Sequence, residues 1–238
     1  MTDPELYERL SAFISPNKRA LFDRIAPLRT RHVTVVLEDI FQSQNASAVV
    51  RTCDLVGIQD LHVIEEQNRY QLNPDVTLGS SKWVDIHRYR SKESSLMQCI
   101  ATLRSKGYRI IATSPRSVTN TPVSIDLEKP MAFCFGTELT GLSEALLDLA
   151  DEHVRIPMYG FTESFNISAS AAILLYSVME RLRTSNVEWR LDEADLMTLK
   201  LDWARKMIHN AAGVEARLRA DDIDHSDIGS GNDARDDT

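Results

Sequence analysis

Residues 33–64 read VTVVLEDIFQSQNASAVVRTCDLVGIQDLHVI. Val33 to Leu37 is a short β-branched run of strand composition. Asn45 to Val56 then places Ala48, Val49, Thr52, Cys53 and Val56 at helical spacing and stops at Gly57, a residue suited to a left-handed helix cap. Leu61 to Ile64 returns to strand composition. Strand, helix and strand in so short a span form the repeating unit of an α/β domain.

Outward from this unit the alternation continues. A strand at Val84–Ile86 precedes a helix from Glu93 to Lys106, ended by Gly107, and a strong strand follows at Tyr108–Thr113. Met131–Phe135, a helix opening at Ser143, a strand ending near Met158 and a long apolar helix from Ser168 to Arg183 complete the core. This pattern predicts a largely parallel sheet with helices on both faces. Leu6 to Leu28 reads as one or two amphipathic helices, and Asp192 to Ile208 as another. The expected organisation is an N-terminal helical extension over residues 1–31, a core domain over 32–183, a C-terminal helical extension over 184–219 and an acidic tail over 220–238.

The chain has 238 residues and a formal net charge of −8, which at first opposes a nucleic-acid partner. Residues 221–238 carry a net −6 of that total, so the acidity belongs mainly to a tail too poor in apolar residues to fold on itself. Residues 16–31 are locally basic, with Lys18, Arg19, Arg24, Arg29 and Arg31 against Asp23 alone. Three widely spaced cysteines, Cys53, Cys99 and Cys134, form no CxxC pair, so neither a disulfide framework nor a metal site is expected. No apolar run approaches membrane-spanning length, and a cytoplasmic protein is expected.

Ligands of open parallel sheets sit beyond the carboxyl ends of the strands, and three loops there are rich in polar groups. In NASAVVRTCD (45–54), Asn45 can cap the helix that begins there, while Arg51 needs either an internal carboxylate such as Asp54 or an external phosphate. In FGTELTGLS (135–143), Gly136 allows close backbone approach to a ligand, Gly141 relieves a turn and Ser143 caps the next helix. Glu138 between them is placed to orient an arginine or a substrate hydroxyl, or stands solvated. In IPMYGFTESFNISAS (156–170), Asn166 or Ser168 can cap the final core helix. The phosphate cradles GxGxxG and GxxxxGK[ST] and the GxSxG elbow are absent.

Together, NASAVVRTCD, FGTELTGLS and IPMYGFTESFNISASAAILLY resemble, in order and separation, the three motifs of the SpoU or TrmH-like branch of the SPOUT RNA 2′-O-ribose methyltransferases. The resemblance spans about Val33 to Arg183. It implies a deep trefoil knot in the C-terminal part of the α/β domain, S-adenosylmethionine as methyl donor, RNA as substrate and a homodimer. It assigns Arg51 a direct part in catalysis on the ribose 2′-hydroxyl, as a base or as a positioning cation, supported by Asn45, Glu138, Ser164 and Asn166. Thr113, Gly136, Ile156 and Phe165 would hold the cofactor. Phe165 replaces the leucine usual in the family, and Ile167 the usual valine. The short helical extensions on both sides look like those of members that methylate guanosine 18 of tRNA. Lys18, Arg19, Arg24, Arg29 and Arg31, with Arg181 and Arg183, would then hold the RNA backbone. A ribosomal RNA methyltransferase and a non-catalytic RNA-binding relative are the alternatives.

Overall fold

A computed structural model describes residues 1–91, 94–114 and 120–228. They fall into two compact units, one formed by residues 29–190 and the other by residues 1–28 with the chain from 191 onward.

The larger unit is built on a six-stranded sheet: β1 (Val33–Glu38), β2 (Asp60–Ile64), β3 (Asp85–Tyr89), β4 (Arg109–Thr113), β5 (Met131–Phe135) and β6 (Glu152–Val154). Every pairing is parallel, in the order β3-β2-β1-β5-β4-β6. β1 and β5 are buried along their whole length, as a sheet covered on both faces requires. The side-chain alternation divides the core accordingly. Val33, Val35, Leu37, Phe133 and Phe135 face a layer containing Val49 and Cys53 of α3 (Ser43–Val56) and Leu174, Leu175 and Val178 of α7 (Ile167–Thr184). Val36, Ala132 and Cys134 face Leu96, Cys99, Ile100 and Leu103 of α5 (Ser95–Ser105) and Leu146 of α6 (Glu144–Leu149). Each fully buried aliphatic side chain in these layers contributes about 1.5–3 kcal/mol.

Local rules set the boundaries. α3 ends at Gly57, whose φ of +83° is the left-handed cap expected there. Ser143 caps α6 by accepting from Leu146 N–H, and Asn166 caps α7 by accepting from Ser168 N–H. α3 begins at Ser43, two residues earlier than expected, so Asn45 lies inside the first turn and its amide does not cap the helix. The strand expected to end near Met158 is shorter and stops at Val154. A single turn of helix, α4 (Pro74–Thr77), adds to the expected elements.

The smaller unit joins the two chain ends. α1 (Asp3–Ser11) and α2 (Pro16–Ile25) pack with α8 (Glu193–Met207) and α9 (Ala211–Ile228). Leu6, Leu10, Phe22 and Trp203 are buried there, and the Phe22 and Trp203 rings are tilted with centroids 5.3 Å apart. The two expected extensions are therefore one helical unit. α9 also carries helical backbone to Ile228, against the expectation of an unstructured tail from residue 220; residues 229–238 lie outside the described ones.

Candidate active site

In the sheet order, β1 is the strand where the succession β3-β2-β1 meets β5-β4-β6, and a crevice opens there beyond the carboxyl ends. The first and second polar loops leave β1 and β5 at this point, and the third enters α7 beside them. Asn45, Glu138 and Asn166, one from each loop, meet in a single network. Glu138 Oε1 accepts from Asn45 Nδ2 at 2.6 Å and from Asn166 Nδ2 at 2.5 Å. Asn166 Nδ2 also donates to Asn45 Oδ1 at 3.2 Å, and Asn45 Nδ2 to Gln42 Oε1 at 2.9 Å. The protons of both amides are thereby committed, which orients both side chains. Asn45 is only 8% exposed, so its amide must be satisfied internally, whereas Glu138 is exposed and keeps Oε2 toward solvent.

Backbone geometry places Glu138 at the tip of a tight turn in which Thr137 and Gly141 exchange N–H···O bonds at 2.9 and 3.0 Å. A Cβ on Gly136 would lie 2.1 Å from the Gly141 carbonyl carbon. The close approach expected at Gly136 is thus made on that side by its own turn rather than by a ligand.

Two clefts flank the network. One, lined by Thr113, Ile156, Ser164, Phe165 and other residues beyond β4, β5 and β6, collects three of the four expected cofactor residues with Ser164. Its walls are mainly apolar with hydroxyls at Ser114, Ser164 and Ser170, a composition suited to a flat base and a ribose. Thr113 donates its hydroxyl to Cys134 O at 2.7 Å, which leaves it an acceptor only. The cleft, about 70 Å³, lies beside the loop that carries Met158 and Ser164. Tyr159 and Phe161 on that loop are almost fully exposed. The second cleft, about 650 Å³, opens beside Asn45 and Glu138 over the ends of β1 and β2.

Glu38 and Asp39, at the end of β1, also shape the crevice. Glu38 accepts from Ser143 N–H and Oγ–H at 2.8 and 2.6 Å and so ties β1 to the cap of α6. Asp39, at φ +55°, accepts from the backbone N–H groups of Glu66, Gln67 and Asn68. Their position directly after the VTVVL run was the sequence signal for them.

Arg51 stands apart. It is exposed on α3, six residues beyond Asn45 and therefore roughly 120° around the helix from it. It makes no hydrogen bond or ion pair among the described residues. Asp54, the internal partner considered for it, is instead paired with Arg29.

Most of the expected RNA-binding cations are engaged within the chain, and residues 16–31 are divided between the two units. Arg29 is 1% exposed and bonds to the Asp54 carboxylate and to the carbonyls of Asp54, Ile58 and Trp83, so it cannot reach a phosphate. Arg31 pairs with Asp60 at 2.9 Å, and Arg19 with Glu8 at 2.5 Å. Arg181 donates to Pro122 O and Ile125 O, and Arg183 to Val56 O and Glu180. Lys18 is half-buried and has an interaction of its own, whereas Arg24 is exposed.

Burial pushes the Cys53 and Cys99 thiols up to about 12, which removes them as nucleophiles. His62, buried on β2 and stacked on His87 with ring centroids 4.7 Å apart, is held down to about 3 by burial and by the neighbouring His87.

The model of the SpoU rRNA Methylase family matches residues 32–176. The chain belongs to this family. A relative from Borreliella burgdorferi, a tRNA (guanosine(18)-2′-O)-methyltransferase, is 47% identical over 208 residues, covering 87% of this chain and 93% of its own. The crystal structure of the Aquifex aeolicus TrmH/SpoU tRNA modifying enzyme superposes with a TM-score of 0.70 at 28% identity, over 81% of this chain and 98% of that one. The SpoU methyltransferase AviRb from Streptomyces viridochromogenes, solved with AdoMet, shares the fold with a TM-score of 0.54 at 22% identity, over 69% of this chain and 62% of that one.

Proposed function

We propose that this chain transfers a methyl group from S-adenosylmethionine to the ribose 2′-hydroxyl of guanosine 18 in tRNA. The observation that carries this is the convergence of Asn45, Glu138 and Asn166 from three separate loops on one point at the sheet's switch strand, in a SpoU family chain 47% identical to a tRNA (guanosine(18)-2′-O)-methyltransferase.

S-adenosylmethionine supplies an activated methyl on a sulfonium. The cleft around Thr113, Ile156 and Phe165 is the place for its adenosyl group, with Gly136 on the adjoining turn and the C-terminal part of the core threaded as a trefoil knot. A neutral 2′-hydroxyl is a weak nucleophile, so orientation and removal of its proton must supply most of the acceleration. The Asn45–Glu138–Asn166 network fixes the crevice wall, and Ser164 offers a hydroxyl on the cofactor side. Arg51, without a partner among the described residues, meets the ribose or its phosphate. It acts either as a cation that orients them or, with the phosphate taking part, as the proton acceptor.

The exposure of Arg51 supports a homodimer. Leu55, one turn beyond it, is 74% exposed, and Ile173 and Tyr176 of the adjoining α7 are also uncovered, an apolar surface suited to a second copy. Among the expected RNA contacts, Arg24 is the cation best presented to a phosphate backbone. The setting is the cytoplasm, where tRNA is modified; no helix among the described residues is long and apolar enough to cross a membrane.

The test is methylation of a tRNA transcript by the purified protein with labelled cofactor, followed by nucleoside mapping. A 2′-O-methyl group is expected at guanosine 18 alone and is abolished by a 2′-deoxy substitution there. Arg51→Ala should lose at least about 100-fold in single-turnover rate with an unchanged melting temperature. Methylation elsewhere, or a near-normal rate for Arg51→Ala, would refute the assignment.

A further inference from the structure

The 650 Å³ cleft beside the network takes no part in the proposed methyl transfer, and it lies in the size range of ligand sites, about 300–1,000 Å³. Asn45 and Glu138 form one wall, so whatever fills it is adjacent to the network. Two apolar side chains stand in it without cover: Phe41 is 79% exposed and Leu139 is 98% exposed. An aromatic ring held at the mouth of a crevice in an RNA-modifying protein is a stacking platform for an unpaired base.

The polar groups around Phe41 narrow the choice of base. Glu38 and Asp39 are consumed by the Ser143 and loop N–H bonds described above. Glu66 accepts from Leu96 N–H through Oε1 at 3.0 Å, which pins its carboxylate and leaves Oε2 for another donor. Asn68 donates its amide to Asp39 O at 3.0 Å, which leaves its Oδ1 as a second acceptor. Gln42 accepts from Asn45 and keeps its own N–H groups as donors. The cleft therefore presents a fixed carboxylate oxygen, a second acceptor and a donor. Guanine complements this set, with N1–H and N2–H groups on one edge and the O6 acceptor beside them. Adenine would set its N1 lone pair against the carboxylate.

We infer that this cleft receives the base of the nucleotide being methylated, with Phe41 stacked on it and Glu66 accepting from the N1–H and N2–H groups of a guanine. The inference rests on the proposed function for the identity of the nucleotide. It adds the residues that select it.

The experiment uses the full chain and its Glu66→Gln and Phe41→Ala variants on tRNA transcripts carrying guanosine or inosine at position 18. Inosine lacks only the 2-amino group. The glutamine amide keeps an oxygen for Leu96 N–H, so folding should be retained and is checked by melting. The original protein should favour guanosine over inosine by about tenfold in kcat/KM, the loss of one charge-assisted bond. Glu66→Gln should lower the guanosine value by about tenfold or more and reduce the preference to below about threefold. Phe41→Ala should lower both substrates by about tenfold and preserve the preference. Cofactor Kd, measured by calorimetry, should stay within about twofold in both variants. Methylation of guanosine 18 with the inosine discrimination intact in Glu66→Gln would overturn the base pocket and leave the proposed function standing. A weakened cofactor Kd with unchanged base preference would assign the cleft to the cofactor and also overturn it. Failure of the original protein to methylate guanosine 18 would overturn both.

Discussion

Replacing Glu138 by alanine removes one oxygen that two amides share. Asn45 and Asn166 each lose a bond to a carboxylate, at 2.6 and 2.5 Å. Such bonds are worth about 1.5–3 kcal/mol each when buried, but Glu138 is exposed, and solvent discounts each to about 1 kcal/mol. The pair then amounts to about 2 kcal/mol, or about 30-fold in kcat/KM if the network exists to orient the site. Stability should move little, because Asn166 still caps α7 through Oδ1 and Asn45 still donates to Gln42. The assay is steady-state methylation paired with thermal melting. Glu138→Ala should lose about 30-fold in kcat/KM with a fall in Tm of under about 4 °C. Glu138→Gln, which keeps an acceptor, should recover part of the loss. The double variant Asn45→Ala with Glu138→Ala should lose less than the product of the single losses, since they delete the same bond. Activity within about threefold of the original in Glu138→Ala, or strict multiplicativity in the double variant, would refute the reasoning.

Asp54→Ala leaves the Arg29 guanidinium 1% exposed without its counter-ion and should cost about 3–5 kcal/mol, seen as a Tm lower by about 6–20 °C, while RNA affinity of the folded protein stays unchanged. Gly136→Ala drives a methyl group into the Gly141 carbonyl, so the turn bearing Glu138 must shift, and methylation should fall by at least about tenfold with the remainder of the fold retained by circular dichroism. His62 is held near 3 in the fold against 6.5 for the free side chain, so the unfolded chain takes up a proton between those values and the folded one does not. The stability this gives is complete above pH 6.5 and is lost on acidification, with a slope of up to about 1.4 kcal/mol per pH unit. Asp60, His87, Tyr89 and Lys106 surround this group, and denaturant titrations of His62→Phe from pH 7 to 4 should show a flatter slope.

The sheet was legible because its strands obey a simple rule. A strand covered on both faces must be largely apolar, and VTVVL and MAFCF are, with Thr34 satisfied by the Asp60 carbonyl. The three site loops were legible as polar clusters following expected strands, and the resemblance to SpoU enzymes gave Asn45, Glu138 and Asn166 their meaning. What sequence could not supply was pairing. The basic count in residues 16–31 is real, yet Arg29 and Arg31 spend their charge on Asp54 and Asp60, partners that only the fold brings near. Arg51 was expected to need either an internal carboxylate or an external phosphate because its helix is small and apolar, and the helix turns it to solvent. Glu38 and Asp39 look in sequence like an ordinary loop entry, because only the fold brings the donors of Ser143, Glu66, Gln67 and Asn68 to them.

The helical unit made from both ends of the chain has a consequence for biosynthesis. Leu6, Leu10 and Phe22 leave the ribosome long before Trp203 and Leu199, which are buried in the same unit. During elongation the N-terminal helices must wait, uncovered, while the entire sheet domain is synthesised. A stop codon anywhere before about residue 191 would yield a chain whose leading segment never finds its mate.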